Sequence, residues 1–199
     1  MPSAFGDHQL GIAYEPVTDL LAKYAKREPA KTAIVDLESG ASIDFGQLNQ
    51  TVIDIAADLK RQGIKKGSRV LVLSDENLEK LLIWLGVWRL GAVICPFNLE
   101  INEKQMVALT AALAPAIILY HKEIDVAAMV GDARAPRVRF GAWSHRGDTD
   151  PQDEFFAKLT RGDAAGLPER NEAADTACIF CTRSEEHTSE LQSHLNLVC

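Results

Sequence analysis

Segments with the hydrophobic period of a strand alternate with segments that have the period of a helix along most of this chain. The clearest strand signal is RVLVL at residues 69–73, a short apolar run without alternation, which predicts a strand buried on both faces. A largely apolar helical segment follows at residues 75–90, and a second short strand at residues 92–95. Helical crossovers between successive strands indicate a parallel sheet. The pattern therefore predicts a layered α/β fold with a largely parallel sheet and flanking helices.

The remaining periodic segments extend this pattern in both directions. An amphipathic helix is expected at residues 47–62, with Gly63 as its left-handed stop. Another helix begins at Asn102, where Gln105 completes a capping-box pattern, and ends before Pro115. Residues 131–170 lose this periodicity and predict a long surface excursion that holds one helix. The other expected elements are a helix at 17–27, a hairpin of strands at 32–35 and 42–45, a strand at 116–120 and, within the excursion, a helix at 151–159.

The predicted core combines three of these strands with the apolar helix. The strands are residues 70–73, 92–95 and 117–119, and the helix face that packs on them bears Leu81, Leu82 and Leu85. Trp84 and Trp88 lie four residues apart on the same helix. This spacing favours packing between layers over a platform for a ligand.

Composition and charge restrict the class of protein further. The chain has 199 residues, of which 47% are hydrophobic and 25% charged, as in a soluble globular domain. A net charge of −7 without a basic stripe argues against nucleic-acid binding. The longest apolar run, residues 81–88, is too short to cross a membrane. Without a secretory signal or a disulfide framework, a cytoplasmic, reducing location is expected. The composition indicates no oligomeric state.

No constellation in the sequence predicts a catalytic residue or a metal site. Cys178 and Cys181 lie three apart in an apolar, strand-like run, so their side chains point to opposite faces and cannot meet at one ion. No Ser-His-Asp or Cys-His arrangement can be argued, and no complete glycine-rich phosphate loop is present.

Four sequence segments nevertheless match segments of a known family, both in their order along the chain and in their residues. They are GQLN at residues 46–49, GIKKGSRVLVLSDEN at 63–77, WRLGAVICPFN at 88–98 and DTACIFCT at 175–182. Together they resemble the N-terminal part of the AMP-forming acyl-CoA synthetases, which belong to the AMP-dependent synthetase and ligase family of adenylate-forming enzymes. The resemblance covers residues 17–182, with 131–170 unmatched.

The resemblance implies a two-step activation of a carboxylic acid by the intact protein. ATP and Mg²⁺ would serve in acyl-adenylate formation, and CoA would then take the acyl group. Residues 1–182 would be an incomplete N-terminal part of the family's large domain. Thr182 matches the first residue of the family's phosphate-binding loop, Thr-Ser-Gly-Thr-Thr-Gly-x-Pro-Lys, and is therefore the predicted cofactor-binding residue. Arg183 stands where the loop's Ser is expected, so the match ends there.

The string RSEEHTSELQSH at residues 183–194 resembles a common sequencing adapter translated in frame. We therefore expect residues 183–199 to be a non-native tail, unpacked against the domain, on a truncated chain. Such a chain would be inactive and would bind ATP, Mg²⁺ and CoA poorly, because the family's other nucleotide-binding and catalytic elements come after Thr182. The sequence does not identify the acid. A self-contained α/β binding or scaffold module without catalysis is the alternative interpretation.

Overall fold

A computed structural model describes residues 14–37, 40, 42–143, 153–168 and 171–180 of the chain. Thr182, Cys181 and the expected tail at 183–199 lie outside the described residues. Helices and strands alternate from α2 onward, and two short 3-10 turns come after them at Phe156–Lys158 and Ala164–Gly166. The elements in chain order are α1 Val17–Arg27, β1 Thr32–Val35, β2 Ser42–Asp44, α2 Phe45–Arg61, β3 Arg69–Leu73, α3 Leu78–Arg89, β4 Val93–Pro96, α4 Glu103–Leu113, β5 Ile117–His121, α5 Val126–Val130 and β6 Arg137–Phe140.

Four of the strands form a parallel sheet in the order β4-β3-β5-β6. Leu71 at the centre of β3 is in register with Cys95 on β4 and with Ile118 on β5. The two N-terminal strands, β1 and β2, form a separate antiparallel hairpin. This architecture confirms the predicted α/β fold with a parallel sheet between helices.

A short segment near residue 178 continues the sheet beyond β4. Cys178 forms a parallel bridge with Ile94. The Ile94 amide donates a hydrogen bond to the Ala177 carbonyl over 3.2 Å, and the Ile179 amide donates to the Ile94 carbonyl over 2.9 Å. We call residues 177–179 the terminal strand segment. It runs in the same direction as the four sheet strands.

The central strand β3 divides the core into two clusters, one on each face of the sheet. Val70 and Val72 pack with residues of α2 and α3, whereas Leu71 and Leu73 pack with residues of α4. All four side chains are fully buried, which confirms the prediction that this strand is covered on both faces. The absence of alternation in RVLVL is a direct consequence of this two-sided burial.

Local signals in the sequence determine where several helices begin and end. Asp44 and Gln47 form a reciprocal capping box, so α2 begins at Phe45, two residues before the predicted start. The Gln105 amide donates to Asn102 Oδ1 over 3.0 Å, which confirms the predicted cap of α4. Gly63 comes just after α2 with a φ of +87°, as expected for a left-handed stop.

The predicted burial of the α3 face is wrong in part. Leu82 is fully buried as expected, but Leu81 is 42% exposed and the buried side chains beside Leu82 are Ile83 and Val87. The helix also begins at Leu78 and not at residue 75, because Asn77 caps it by accepting a hydrogen bond from the Lys80 amide. A helix that is apolar nearly all round has no periodicity to mark its buried face.

The predicted surface excursion contains regular structure that the sequence pattern does not reveal. Strand β6 pairs in parallel with β5, with Ile118 in register with Arg137. The helix expected at 151–159 is replaced, within the described residues, by the 3-10 turn Phe156–Lys158. Asp153 supports this turn by accepting hydrogen bonds from the amides of Phe155 and Phe156, at 2.8 Å each. Across the described parts of the chain, no helix has both the length and the apolar character to cross a membrane.

Candidate functional site at the carboxyl edge of the sheet

Because the sheet strands are parallel, their carboxyl ends meet at one edge. Strand β3 leads into Ser74, β4 leads into Phe97 and Asn98, and the terminal strand segment leads into Phe180. In open α/β sheets, ligands bind outside the carboxyl ends of the strands. This edge is therefore the candidate functional site.

The loop between β3 and α3 is held in one conformation by its own side chains. Ser74 is buried, and its hydroxyl accepts a hydrogen bond from the Asn77 side-chain amide over 2.9 Å. The oxygen of that same amide accepts the Lys80 backbone N–H over 2.8 Å. One asparagine thus links the end of the strand to the start of the helix, and the loop backbone at this edge is fixed.

Lys80 places a buried positive charge behind this loop. Its side chain is only 7% exposed, and its ammonium donates to the Ser74 carbonyl over 3.1 Å and to the Glu76 carboxylate over 2.5 Å. Glu76 itself is 89% exposed. A buried ammonium is tolerated only when it is paired and hydrogen-bonded, and both conditions are met here. Both hydrogen-bond acceptors of the Lys80 ammonium therefore belong to the loop between β3 and α3.

Side chains at the opposite edge hold the terminal strand segment against α3. Trp88 donates its indole N–H to the Ala177 carbonyl over 2.8 Å. The Asn171 side-chain amide donates to the Trp88 carbonyl over 2.5 Å. Lys66 and Asp175 form an ion pair at 2.7 Å, and the hydrogen bond from Lys66 lowers the pKa of the Asp175 carboxyl. These contacts position the segment that leads to Thr182.

Both tryptophans of α3 pack against the core, as the sequence predicts, and Trp88 also borders a cavity. The rings of Trp84 and Trp88 meet edge to face with centroids 5.6 Å apart. Trp84 also contacts Phe180, at a centroid distance of 5.8 Å. Phe180 comes directly after the terminal strand segment, so Trp84 packs beside the end of this segment.

The sequence-predicted site residues are only partly described. Thr182, the predicted cofactor-binding residue, lies outside the described residues, as does Cys181. Cys178 is buried in the core, and burial raises the pKa of its thiol to about 12, so it stays protonated and unreactive. Among the residues that the structure describes, no three His, Cys, Asp or Glu side chains gather where they could hold a metal ion.

Two features of the site were missed by sequence reasoning. Lys80 directly precedes the apolar run at residues 81–88, and its spacing from Asn77 does not distinguish it from a lysine at any helix start. The hydrogen bond from Asn171 to Trp88 joins residues 83 positions apart, so no local sequence pattern predicts it.

The comparison with family models decides the family. The model described as AMP-binding enzyme matches residues 21–182. The chain belongs to this family. The resemblance carried by the strings at residues 46–49, 63–77, 88–98 and 175–182 is thereby confirmed.

Curated relatives of the chain include ligases for different acyl acceptors. One is a medium/long-chain-fatty-acid–acyl-carrier-protein ligase, FadD10, of Mycobacterium tuberculosis, which is 34% identical over 77 residues, or 39% of this chain and 14% of the relative. Another is the peroxisomal OPC-8:0-CoA ligase 1 of Arabidopsis thaliana, 26% identical over 196 residues, or 92% of this chain and 33% of the relative. The chain thus spans at most about a third of these relatives.

Solved structures share the fold at low sequence identity. A fatty acyl CoA synthetase of Mycobacterium tuberculosis superposes with a TM-score of 0.68 and 21% identity, covering 84% of this chain and 32% of the other. The N-terminal subdomain of NpsA from Klebsiella oxytoca superposes with a TM-score of 0.68 and 20% identity, covering 87% and 39%. The chain has the fold of the N-terminal subdomain of adenylate-forming enzymes.

Proposed function

We propose that this chain is the N-terminal part of an AMP-forming acid–CoA ligase. In the intact protein, a carboxylate would attack the α-phosphorus of ATP and release pyrophosphate, and a CoA thiolate would then displace AMP. The observation that carries the proposal is the family match up to residue 182. The parallel bridge between Cys178 and Ile94 supports it, because it adds the end of the matched region to the sheet beside β4.

The groups at this edge fit a scaffold that precedes the nucleotide site better than they fit a complete site. A triphosphate needs several preorganised donors, such as loop N–H groups, hydroxyls, a lysine and Mg²⁺. The Lys80 ammonium is already held by the Ser74 carbonyl and the Glu76 carboxylate. The Ser74 hydroxyl is in turn bonded to Asn77. The family resemblance implies contact with phosphate for none of these residues, but only for Thr182, which lies outside the described residues.

We therefore propose that the present chain is inactive. A single neutral hydroxyl contact from Thr182 contributes roughly 0.5–1.5 kcal/mol. That amount cannot hold a triphosphate with several charges in line with an attacking carboxylate. Mg²⁺ would neutralise phosphate charge when bound, and the described residues offer no cluster of carboxylates to hold it. ATP, Mg²⁺ and CoA would serve the intact protein.

The test is pyrophosphate release from ATP and Mg²⁺ with a panel of fatty, aromatic and betaine-type acids. The present chain is compared with an extended protein, in which residues 183–199 are replaced by the family's loop and the rest of an adenylate-forming enzyme. We expect release by the extended protein alone. Release by the present chain above a protein-free blank contradicts the inactivity. Failure of the extended protein on every acid contradicts the ligase assignment.

The acyl acceptor is tested separately, because the relatives include ligases for acyl carrier protein as well as for CoA. We propose CoA as the acceptor. AMP formation by the extended protein should rise on addition of CoA and not on addition of a phosphopantetheinylated carrier protein. A rise with the carrier protein and not with CoA would contradict CoA as the acceptor. It would not contradict the adenylate-forming step.

We also propose a reducing, cytoplasmic location. Cys95 and Cys178 are buried and form no disulfide, which is the usual state of cysteines in a reducing compartment. They pack in the two different core clusters, on opposite faces of the sheet. Fractionation of the source cells should recover the protein with cytosolic markers. Recovery with an organelle or the medium contradicts the proposal.

A further inference from the structure

A cavity of about 220 Å³ opens at the amino edge of the sheet, on the opposite side from the candidate site. It lies between the start of α1, the end of α3 and the residues that precede the terminal strand segment. Gly91 and Ala92, directly before β4, form part of its wall. The side chains that give the cavity its chemistry are those of Tyr14, Trp88, Asn171, Glu172, Asp175 and Thr176.

These walls combine aromatic rings with carboxylates. Tyr14 and Trp88 supply the rings, and Glu172 and Asp175 supply the acids. None of the described residues that line the cavity is a lysine, arginine or histidine. Lys66 lies next to the cavity and is paired with Asp175 at 2.7 Å, which leaves the charge of Glu172 as the excess.

The indole of Trp88 is fixed in place as part of the wall. Its N–H donates to the Ala177 carbonyl, and its own carbonyl accepts the Asn171 side-chain amide. The other end of that amide, Asn171 Oδ1, is buried and accepts no hydrogen bond from the described residues. It lies against Gly91, where an added Cβ would come within 2.8 Å of it. This oxygen is closed off from solvent, so it belongs to the packing of the wall and is not an acceptor for a ligand in the cavity.

We propose that this cavity binds a small organic cation with an aromatic or alkyl body and a primary ammonium group. Two aromatic rings beside one carboxylate in excess over the neighbouring Lys66 are features that recognise such cations, through cation–π and charge attraction. The apolar part of the wall accommodates the body of the ligand, since a dry cavity of about 150 Å³ already holds benzene. The site is separate from the carboxyl edge, and it does not depend on the proposed ligase activity.

The proposal is tested with three probes that differ in one group. Benzylammonium, benzyl alcohol and benzoate share a ring and differ in carrying a positive, neutral or negative group. Two-dimensional ¹H–¹⁵N spectra of the chain follow the Trp88 indole N–H and the Ala92 amide during each titration. We expect saturable shifts at both positions with benzylammonium, with an affinity about fivefold higher than that for benzyl alcohol. Benzoate should bind more weakly than benzyl alcohol.

Two variants test whether the preference for benzylammonium over benzyl alcohol arises in the cavity. Glu172→Gln removes an exposed carboxylate and should weaken benzylammonium binding about threefold while leaving benzyl alcohol unchanged. Tyr14→Leu keeps the bulk and removes the ring, so it should weaken the cation more than the alcohol. The matched control is Glu123→Gln, an exposed acid after β5 at the other edge, which should change neither affinity.

Equal affinities for benzylammonium and benzyl alcohol would overturn the proposal, because the cavity would then be a non-selective apolar hole. Unchanged selectivity in Glu172→Gln would overturn it as well. So would shifts that spread over the chain without saturating at Trp88 and Ala92.

Discussion

The polar side chains at the two edges of the parallel sheet differ in the range of their hydrogen bonds, which are local at one edge and long-range at the other. At the carboxyl edge, Ser74, Asn77 and Lys80 bond to one another and close the loop between β3 and α3. At the amino edge, Trp88 and Asn171 reach across the fold to hold a different segment, and a cavity remains beside them. The polar groups at the carboxyl edge therefore bond within one loop, whereas those at the amino edge bond to the terminal strand segment.

Helix α3 connects the two edges, because it begins beside Asn77 and ends beside Trp88. A change in the middle of this helix should therefore disturb both edges. A change at either end should disturb one edge and spare the other.

Leu82→Ala should have the largest effect and should disturb both edges. Leu82 is fully buried in the cluster between α3 and the sheet, so its truncation should cost about 2–5 kcal/mol of unfolding free energy. Denaturant titration of the folded protein measures this loss. Leu81→Ala is the matched control, since Leu81 is 42% exposed and should cost far less. Equal losses in the two variants would show that the buried face of α3 is misassigned.

Lys80→Ala should disturb the carboxyl edge alone. It removes a buried stem and leaves the Ser74 carbonyl without the ammonium, at a cost of about 1–3 kcal/mol. Amide chemical shifts should change around Ser74 and stay constant at Asn171. Lys104→Ala, an exposed lysine on α4, serves as the control and should be nearly neutral. Changes at both edges of similar size would contradict the separation.

Trp88→Phe should disturb the amino edge alone. The substitution keeps an aromatic ring and removes the N–H that donates to the Ala177 carbonyl, which should cost about 0.5–1.5 kcal/mol. Hydrogen exchange at the Ile179 amide, which bonds to Ile94 in the terminal strand segment, should become faster. Exchange in β5, at the Ile118 amide, is the internal reference and should stay unchanged. Unaltered exchange at Ile179 would mean that Trp88 does not hold the segment.

Glu76→Gln should have the smallest effect. The carboxylate contacts the Lys80 ammonium, but its side chain is 89% exposed, so water already screens the pair. We expect a change below about 0.5 kcal/mol in unfolding free energy. Thermal unfolding at low and moderate ionic strength measures it. A larger, salt-dependent loss would show that Glu76 is needed to keep the lysine buried and would make the carboxyl edge less self-sufficient than described.

The sheet and its central strand could be predicted because their signals are local. RVLVL at residues 69–73 lacks alternation for the simple reason that both faces are covered, and the caps at Asn102 and Gly63 act within one helical turn. The buried face of α3 could not be predicted, since Leu81 and Leu82 are chemically equivalent and only the position of the sheet distinguishes them. Strand β6 was not predicted, because its arginines at 137 and 139 give it the polar composition of a surface segment.

The contacts of the site were less predictable than the fold, because neither its local nor its long-range hydrogen bonds have a distinctive sequence pattern. The bonds among Ser74, Asn77 and Lys80 are local but have no characteristic spacing that separates them from an ordinary helix start. The bonds from Trp88 to Ala177 and from Asn171 to Trp88 depend on the tertiary fold. The role of Thr182 came from the resemblance alone, and it stays a prediction.

If the described residues are a scaffold, nucleotide binding requires the loop and the further elements that the family carries after its counterpart of Thr182. Calorimetric titration of ATP with Mg²⁺ tests this requirement on the present chain and on the extended protein defined above. We predict no saturable binding by the present chain and saturable binding by the extended protein. Equal affinity of the two proteins for ATP would contradict the scaffold role.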